Sequence, residues 1–128
     1  MFAHKVRTGQ FLEWMKVFDN YYGTPTKNVR EALKKGKHVL LCIDVKGASV
    51  VKKKVPGALM IFVMTPTLNE LRRRLEGRGT DTQASIAVRL KTARAELKEV
   101  GTYDHVIVND KIGTAFRELK ALLAKALP

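Results

Sequence analysis

The chain has 128 residues, 45% hydrophobic and 28% charged, with 24 Lys/Arg against 12 Asp/Glu. That length suits one domain with its own core, and the hydrophobic content excludes a disordered chain. No apolar run approaches the ~20 residues of a membrane span, Met1–Arg7 lacks a signal peptide's apolar stretch, and Cys42 is the only cysteine, so a reducing, cytoplasmic setting is expected.

The net charge of +12 points to anionic partners. It is uneven. Residues 27–54 hold nine Lys/Arg against two Asp/Glu, residues 70–98 hold eight against four, and residues 55–69 hold none. Both basic blocks are interleaved with apolar residues, unlike a disordered basic tail. They belong to folded elements. An aromatic–basic RNA-binding signature and a helix-turn-helix pattern are both lacking, so nucleic acid is not an expected partner.

In chain order, the aromatic segment Phe11–Thr24 reads as short extended pieces forming a small separate sheet. Thr26 is placed to N-cap a helix with Val29, Ala32 and Leu33 inward, and Gly36 to end it. His38–Ile43, Ala58–Met64 and His105–Val108 are near-continuous apolar runs. Such runs predict parallel strands covered on both faces. A short helix is predicted over 47–54. Thr67-x-x-Glu70 is a capping box opening a helix with Leu68, Leu71 and Leu75 on one face. Asp81 or Thr82 opens the next, with Ile86, Leu90, Ala93 and Leu97 aligned. The last helix carries Ala115, Phe116, Leu119 and Leu123. Strands alternating with helices imply an α/β fold in one unit spanning 1–128.

Ligands of parallel α/β sheets bind beyond the carboxyl ends of the strands. Asp44 and Asn109-Asp110 occupy two such ends. Asp44 suits either Mg²⁺ held through water or plain helix capping. In Leu71-Arg-Arg-Arg-Leu-Glu-Gly-Arg-Gly-Thr-Asp81, Arg78 stands between two glycines, and Arg74 and Arg89 flank the loop. Guanidinium forks that never lose charge suit clamping a polyphosphate. Arg72 and Arg73 read as solvated helix surface. Tyr21-Tyr-Gly-Thr24 and Glu13 bring phenols, a hydroxyl and a carboxylate into one region. A carboxylate accepts two N–H bonds from a guanine edge, and a threonine hydroxyl reaches the carbonyl beside it. The same residues also read as a packed turn. His4, His38 and His105 show no metal-ligand spacing.

Together these segments resemble guanylate kinase. The matching stretches are Gly9-Gln-Phe-Leu-Glu-Trp14, Asn20-Tyr-Tyr-Gly-Thr24, Leu41-Cys-Ile-Asp-Val-Lys-Gly-Ala48, Leu75-Glu-Gly-Arg-Gly-Thr-Asp81, Arg89-Leu90 and Tyr103-Asp-His-Val-Ile-Val-Asn-Asp110. The resemblance implies a P-loop kinase-like parallel sheet with flanking helices, a small GMP-binding sheet and a lid. Residues 1–36 would form the GMP-binding region, 37–76 and 100–128 the core, and 77–99 the lid with its following helix. It also implies transfer of the γ-phosphoryl of ATP to GMP, with Mg²⁺, in purine metabolism. Glu13 and Thr24 would read the guanine and Tyr22 the GMP phosphate. Asp44 would face GMP and the transferring phosphates, touching the metal only through water. Arg78 and Arg89 would close over ATP as catalytic lid arginines, and Asn109 would lie near adenine.

The sequence departs from the family in four places. It contains no G-x-x-x-x-G-K-[ST] loop, and Gly36-Lys37 is followed by His38. The segment that carries further arginines and a tyrosine for the GMP phosphate is also lacking. Cys42 stands where the family usually has an acidic residue, and Lys46 where it has glutamine. The expectation is a chain lacking the P-loop portion and its first strand, inactive alone, and either a partial record of a longer enzyme or a natural degenerate copy. Its sheet would be completed by that missing segment or by another chain. The alternative is a non-catalytic guanylate kinase-like module that binds a nucleotide or protein ligand.

Overall fold

The computed structural model describes residues 9–17 and 20–127, with the side chains of residues 15–22 outside the description. The chain divides after Ala58 into two compact units.

The first unit is built on a hairpin. Strand β1 (Phe11–Val17) pairs antiparallel with β2 (Asn20–Pro25), setting Glu13 opposite Thr24 and Trp14 opposite Gly23. This is the separate small sheet expected from the aromatic segment. Phe11 and Leu12 are both buried although successive strand residues point to opposite faces. A Cβ on Gly23 would lie 2.8 Å from Phe11 Cδ1, so only glycine lets that ring lie across β2. Helix α1 (Thr26–Lys34) follows at once. Thr26 is its first helical residue and not its cap. Pro25 takes the capping position at φ −64°, and no side chain caps the helix. A ring that fixes φ near this value pre-sets the entry. Gly36, at φ +76°, ends the helix as expected.

Helix α2 (Val45–Lys54) packs on β1 through buried Gly47, Ala48 and Val51. Part of the unassigned lysine block ties it down. Lys52 Nζ donates to the Ala58 carbonyl at 2.9 Å, and Lys54 Nζ to that of Phe11 at 3.2 Å. Lysines in the last turn also meet the negative end of the helix dipole.

The segment His38–Ile43, read from sequence as a strand, pairs with no strand among the described residues. Its burial alternates residue by residue, with Val39, Leu41 and Ile43 half-buried and Leu40 65% exposed. The side-chain pattern is that of a strand. A strand also needs a ladder of hydrogen bonds, and that partner is what the segment lacks here.

In the second unit β3 (Ile61–Met64) and β4 (His105–Val108) form a parallel pair, with Ile61 opposite His105 and Met64 opposite Val108. The parallel order agrees with expectation. Coverage of both faces does not hold, because Ile107 is buried while Val63, Val106 and Val108 are exposed. Asp104 Oδ2 accepts from the Met60 N–H at 2.8 Å, and the Tyr103 ring stands edge-on to Phe62. Helices α3 (Leu68–Gly77) and α4 (Gln83–Leu97) pack together around Leu75, Ile86 and Leu90, with Leu71 beside them. Thr67 caps α3 and Thr82 caps α4, each accepting an N–H three residues on. Asp81 is thereby released from capping. Helix α5 (Ile112–Ala126) packs on β4, with Ala115 buried and Phe116 exposed. Among the described residues no helix is long and apolar enough to cross a membrane.

Candidate functional site

The sequence-identified residues fall into two groups, one in each unit. In the first, the β1–β2 register places Glu13 directly opposite Thr24. Glu13 is 5% exposed, the one buried charged residue among those described. The Thr24 hydroxyl donates to Glu13 Oε1 at 2.5 Å. A buried carboxylate needs donors, and this hydroxyl supplies one. A hydroxyl carries a single proton. In the free chain that proton goes to Glu13, so Thr24 orients the carboxylate, and reaching a ligand carbonyl requires it to rotate. The Tyr22 side chain lies outside the described residues.

Asp44 caps α2. Its Oδ1 accepts from the Gly47 N–H at 2.8 Å, and the residue is exposed. The capping role foreseen for it is therefore present, with Oδ2 left over. Lys46 and Cys42 are exposed on either side. No group of three or more His, Cys, Asp or Glu side chains among the described residues could hold a metal directly.

In the second unit, Arg78 closes α3, exposed, and its side chain bonds to no described residue. Gly79 follows at φ +67°, a conformation that glycine adopts without strain. Arg89, on α4, is less free. Its Nε lies 3.5 Å from Asp81 Oδ1, and the Asp81 side chain is only 10% exposed, with Oδ2 buried and unbonded. Arg74 is not free to clamp a ligand. Its three nitrogens reach Glu70, the Asn109 carbonyl and the Asp110 carbonyl. Glu70 in turn pairs with Arg73 and Arg74, and those guanidiniums, Arg73 first, hold its carboxyl well below the usual range, at about 2. Asn109 lines a cleft of about 360 Å³ with Phe62, Met64, Thr65, Leu71 and Arg74.

Sequence reasoning missed three features. Gly47 leaves no room for a Cβ beside the carboxylates of Glu13 and Asp44, Asp81 tethers Arg89, and Arg74 is a structural tie. Only the second had a local signal, because Thr82 beside Asp81 offers an alternative cap that leaves the aspartate available.

The guanylate kinase family model matches residues 1–126 of the chain. Guanylate kinase of Streptococcus thermophilus is 48% identical over 122 residues, covering 95% of this chain and 58% of that protein. That of Clostridioides difficile is 39% identical, covering 96% and 60%. The crystal structure of guanylate kinase from Anaplasma phagocytophilum superposes with a TM-score of 0.77 at 35% identity, covering 99% of this chain and 62% of that one. The chain thus spans about three-fifths of the length of these relatives. A family match across nearly every residue, close relatives in sequence and an α/β architecture shared with a solved member agree, and the chain belongs to the guanylate kinase family.

Proposed function

We propose that this chain forms the GMP-binding, lid and C-terminal core part of a phosphotransferase that moves the γ-phosphoryl of ATP to GMP in the cytoplasm. The observation that carries the reading is the buried Glu13 carboxylate, oriented by Thr24. An ionised carboxylate has about four acceptor sites, so one hydroxyl leaves room for both N–H groups of a guanine edge. Adenine presents an acceptor where guanine presents its ring N–H. Tyr22 is assigned to the GMP phosphate from its motif alone. Within this reading residues 1–36 bind GMP, 77–99 form the lid and its following helix, and 37–76 with 100–128 form the core.

Arg78 and Arg89 supply the charge that closes over ATP. Phosphoryl transfer depends chiefly on positioning and neutralisation of phosphate charge, which two guanidinium forks provide without a strong base. Asn109, which lines its cleft, is assigned to the adenine side. The residues present fit a Mg²⁺ carried by ATP and touched only through water. Asp44 has one oxygen engaged and one free, and Mg²⁺ commonly keeps its waters and few carboxylates. When bound with ATP it would neutralise phosphate charge beside Asp44.

The sequence contains no G-x-x-x-x-G-K-[ST] loop to cradle the β- and γ-phosphates, so the chain by itself is expected to bind GMP and turn over negligibly. The segment at 38–43, unladdered among the described residues, and separately the β3–β4 pair with no third strand among them, support strand pairing with a further segment or chain. Calorimetric titration with GMP tests the guanine site. Measurable binding that Glu13→Ala removes supports it, and no binding, or binding indifferent to that substitution, rejects it. A coupled ADP-release assay at ordinary kinase rates would reject inactivity of the isolated chain.

A further inference from the structure

Gly47 sits in the first turn of α2, buried, where a side chain would meet the carboxylates of both Glu13 and Asp44. Its N–H donates to Asp44 Oδ1 at 2.8 Å. A Cβ built on it would lie 3.0 Å from Glu13 Oε2 and 3.1 Å from Asp44 Oδ1. Both separations are tighter than ordinary carbon–oxygen contact. Neither neighbour yields freely. Glu13 is buried and its other oxygen is held by Thr24, and Asp44 is held by the Gly47 amide itself. Glycine within a helix also costs stability relative to alanine. The residue that the helix would prefer is therefore the one that the carboxylates exclude.

We infer that Gly47 is a positioning residue of the guanine subsite: its bare Cα lets the Glu13 carboxylate take the place from which it selects a purine carrying ring and exocyclic N–H donors on one edge. The inference rests on the guanine reading above. A side chain at position 47 pushes Glu13 Oε2 away by a few tenths of an ångström, which stretches the Thr24 bond and misplaces the acceptors that the base edge meets. Small displacements of positioned groups have large effects on recognition. Position 47 thus sets selectivity through Glu13 without touching the base.

The test uses the full chain and Gly47→Ala, with two readouts. In the absence of nucleotide, the ¹³C carboxyl resonance of Glu13 should move in Gly47→Ala, while the thermal transition stays cooperative. In calorimetric titrations, GMP should bind about tenfold more weakly to Gly47→Ala, with AMP affinity unchanged, so the GMP-over-AMP preference narrows. Glu13→Asp withdraws the carboxylate by one methylene. Its penalty on GMP affinity should therefore be smaller in the Gly47→Ala background than in the parent chain. An unmoved Glu13 resonance overturns the inference. So does an equal loss for GMP and AMP, or strictly additive penalties. If the parent chain binds no GMP, the guanine reading fails, and the nucleotide-free resonance still decides whether Gly47 places Glu13.

Discussion

Arg74 and Asn109 stand 35 positions apart in the sequence, yet the guanidinium of the first lies 2.8 Å from the carbonyl oxygen of the second. The same fork reaches the Asp110 carbonyl at 3.0 Å, so one arginine on α3 fastens the turn between β4 and α5. Hydrogen bonds from charged donors contribute more than neutral ones. Arg74→Ala should lower stability by about 1–3 kcal/mol in urea denaturation. Arg74→Lys should recover only part of it, since an ammonium cannot span two carbonyls as a fork does. Full recovery with lysine would show that charge, and not geometry, holds the turn.

Thr24 orients Glu13 through one hydrogen bond. Thr24→Val keeps the shape and removes the donor, leaving a buried carboxylate short of a partner. The expected loss is about 1–3 kcal/mol, read by thermal or chemical denaturation. Thr24→Ser should stay close to the parent. Equal losses in both variants would place the effect in methyl packing.

Asp44 serves as a helix cap and is proposed to face phosphate, and the two roles separate by substitution. Asn caps as well as Asp, so Asp44→Asn should hold stability within about 0.5 kcal/mol, whereas Asp44→Ala should lose about 1 kcal/mol. In any assembly of this chain that phosphorylates GMP, Asp44→Asn should still lower turnover. Unchanged turnover in Asp44→Asn would leave capping as its whole role.

Glu70 should govern part of the acid response. Its carboxyl is lowered to about 2 from 4.5 by Arg73 and Arg74, so the folded chain binds that proton less readily than the unfolded chain does. The stabilisation is complete above about pH 4.5 and disappears as pH falls toward 2. The difference in denaturation midpoint between the parent and Glu70→Gln should shrink across that window. A difference constant with pH would contradict the assignment.

Much of the fold is legible in the residues themselves. Local chemistry acts over three or four positions, which is why Thr67 and Thr82 could be read as caps and the row Ile86–Leu90 as a buried face. Thr26 misled because Pro25 already held the capping position. His38–Ile43 misled for a different reason. Its pattern was that of a strand, but pairing depends on a partner that the pattern does not specify. The same limit applied to the site. Glu13, Thr24, Asp44, Arg78, Arg89 and Asn109 could be picked out by residue type and motif.

Composition and motif order determined by themselves the α/β class, the family and the basic character of residues 70–98. The charge of +12 was visible from the start, but its division was not. Tertiary structure decided that Lys52, Lys54 and Arg74 spend their charge on backbone carbonyls while the Arg78 side chain bonds to no described residue. It also decided that Gly47 lies against Glu13. Charge and local propensity are properties of a residue and its near neighbours. Which carbonyl a cation meets, and how close a carboxylate comes to a bare Cα, depend on chain segments that only folding brings together.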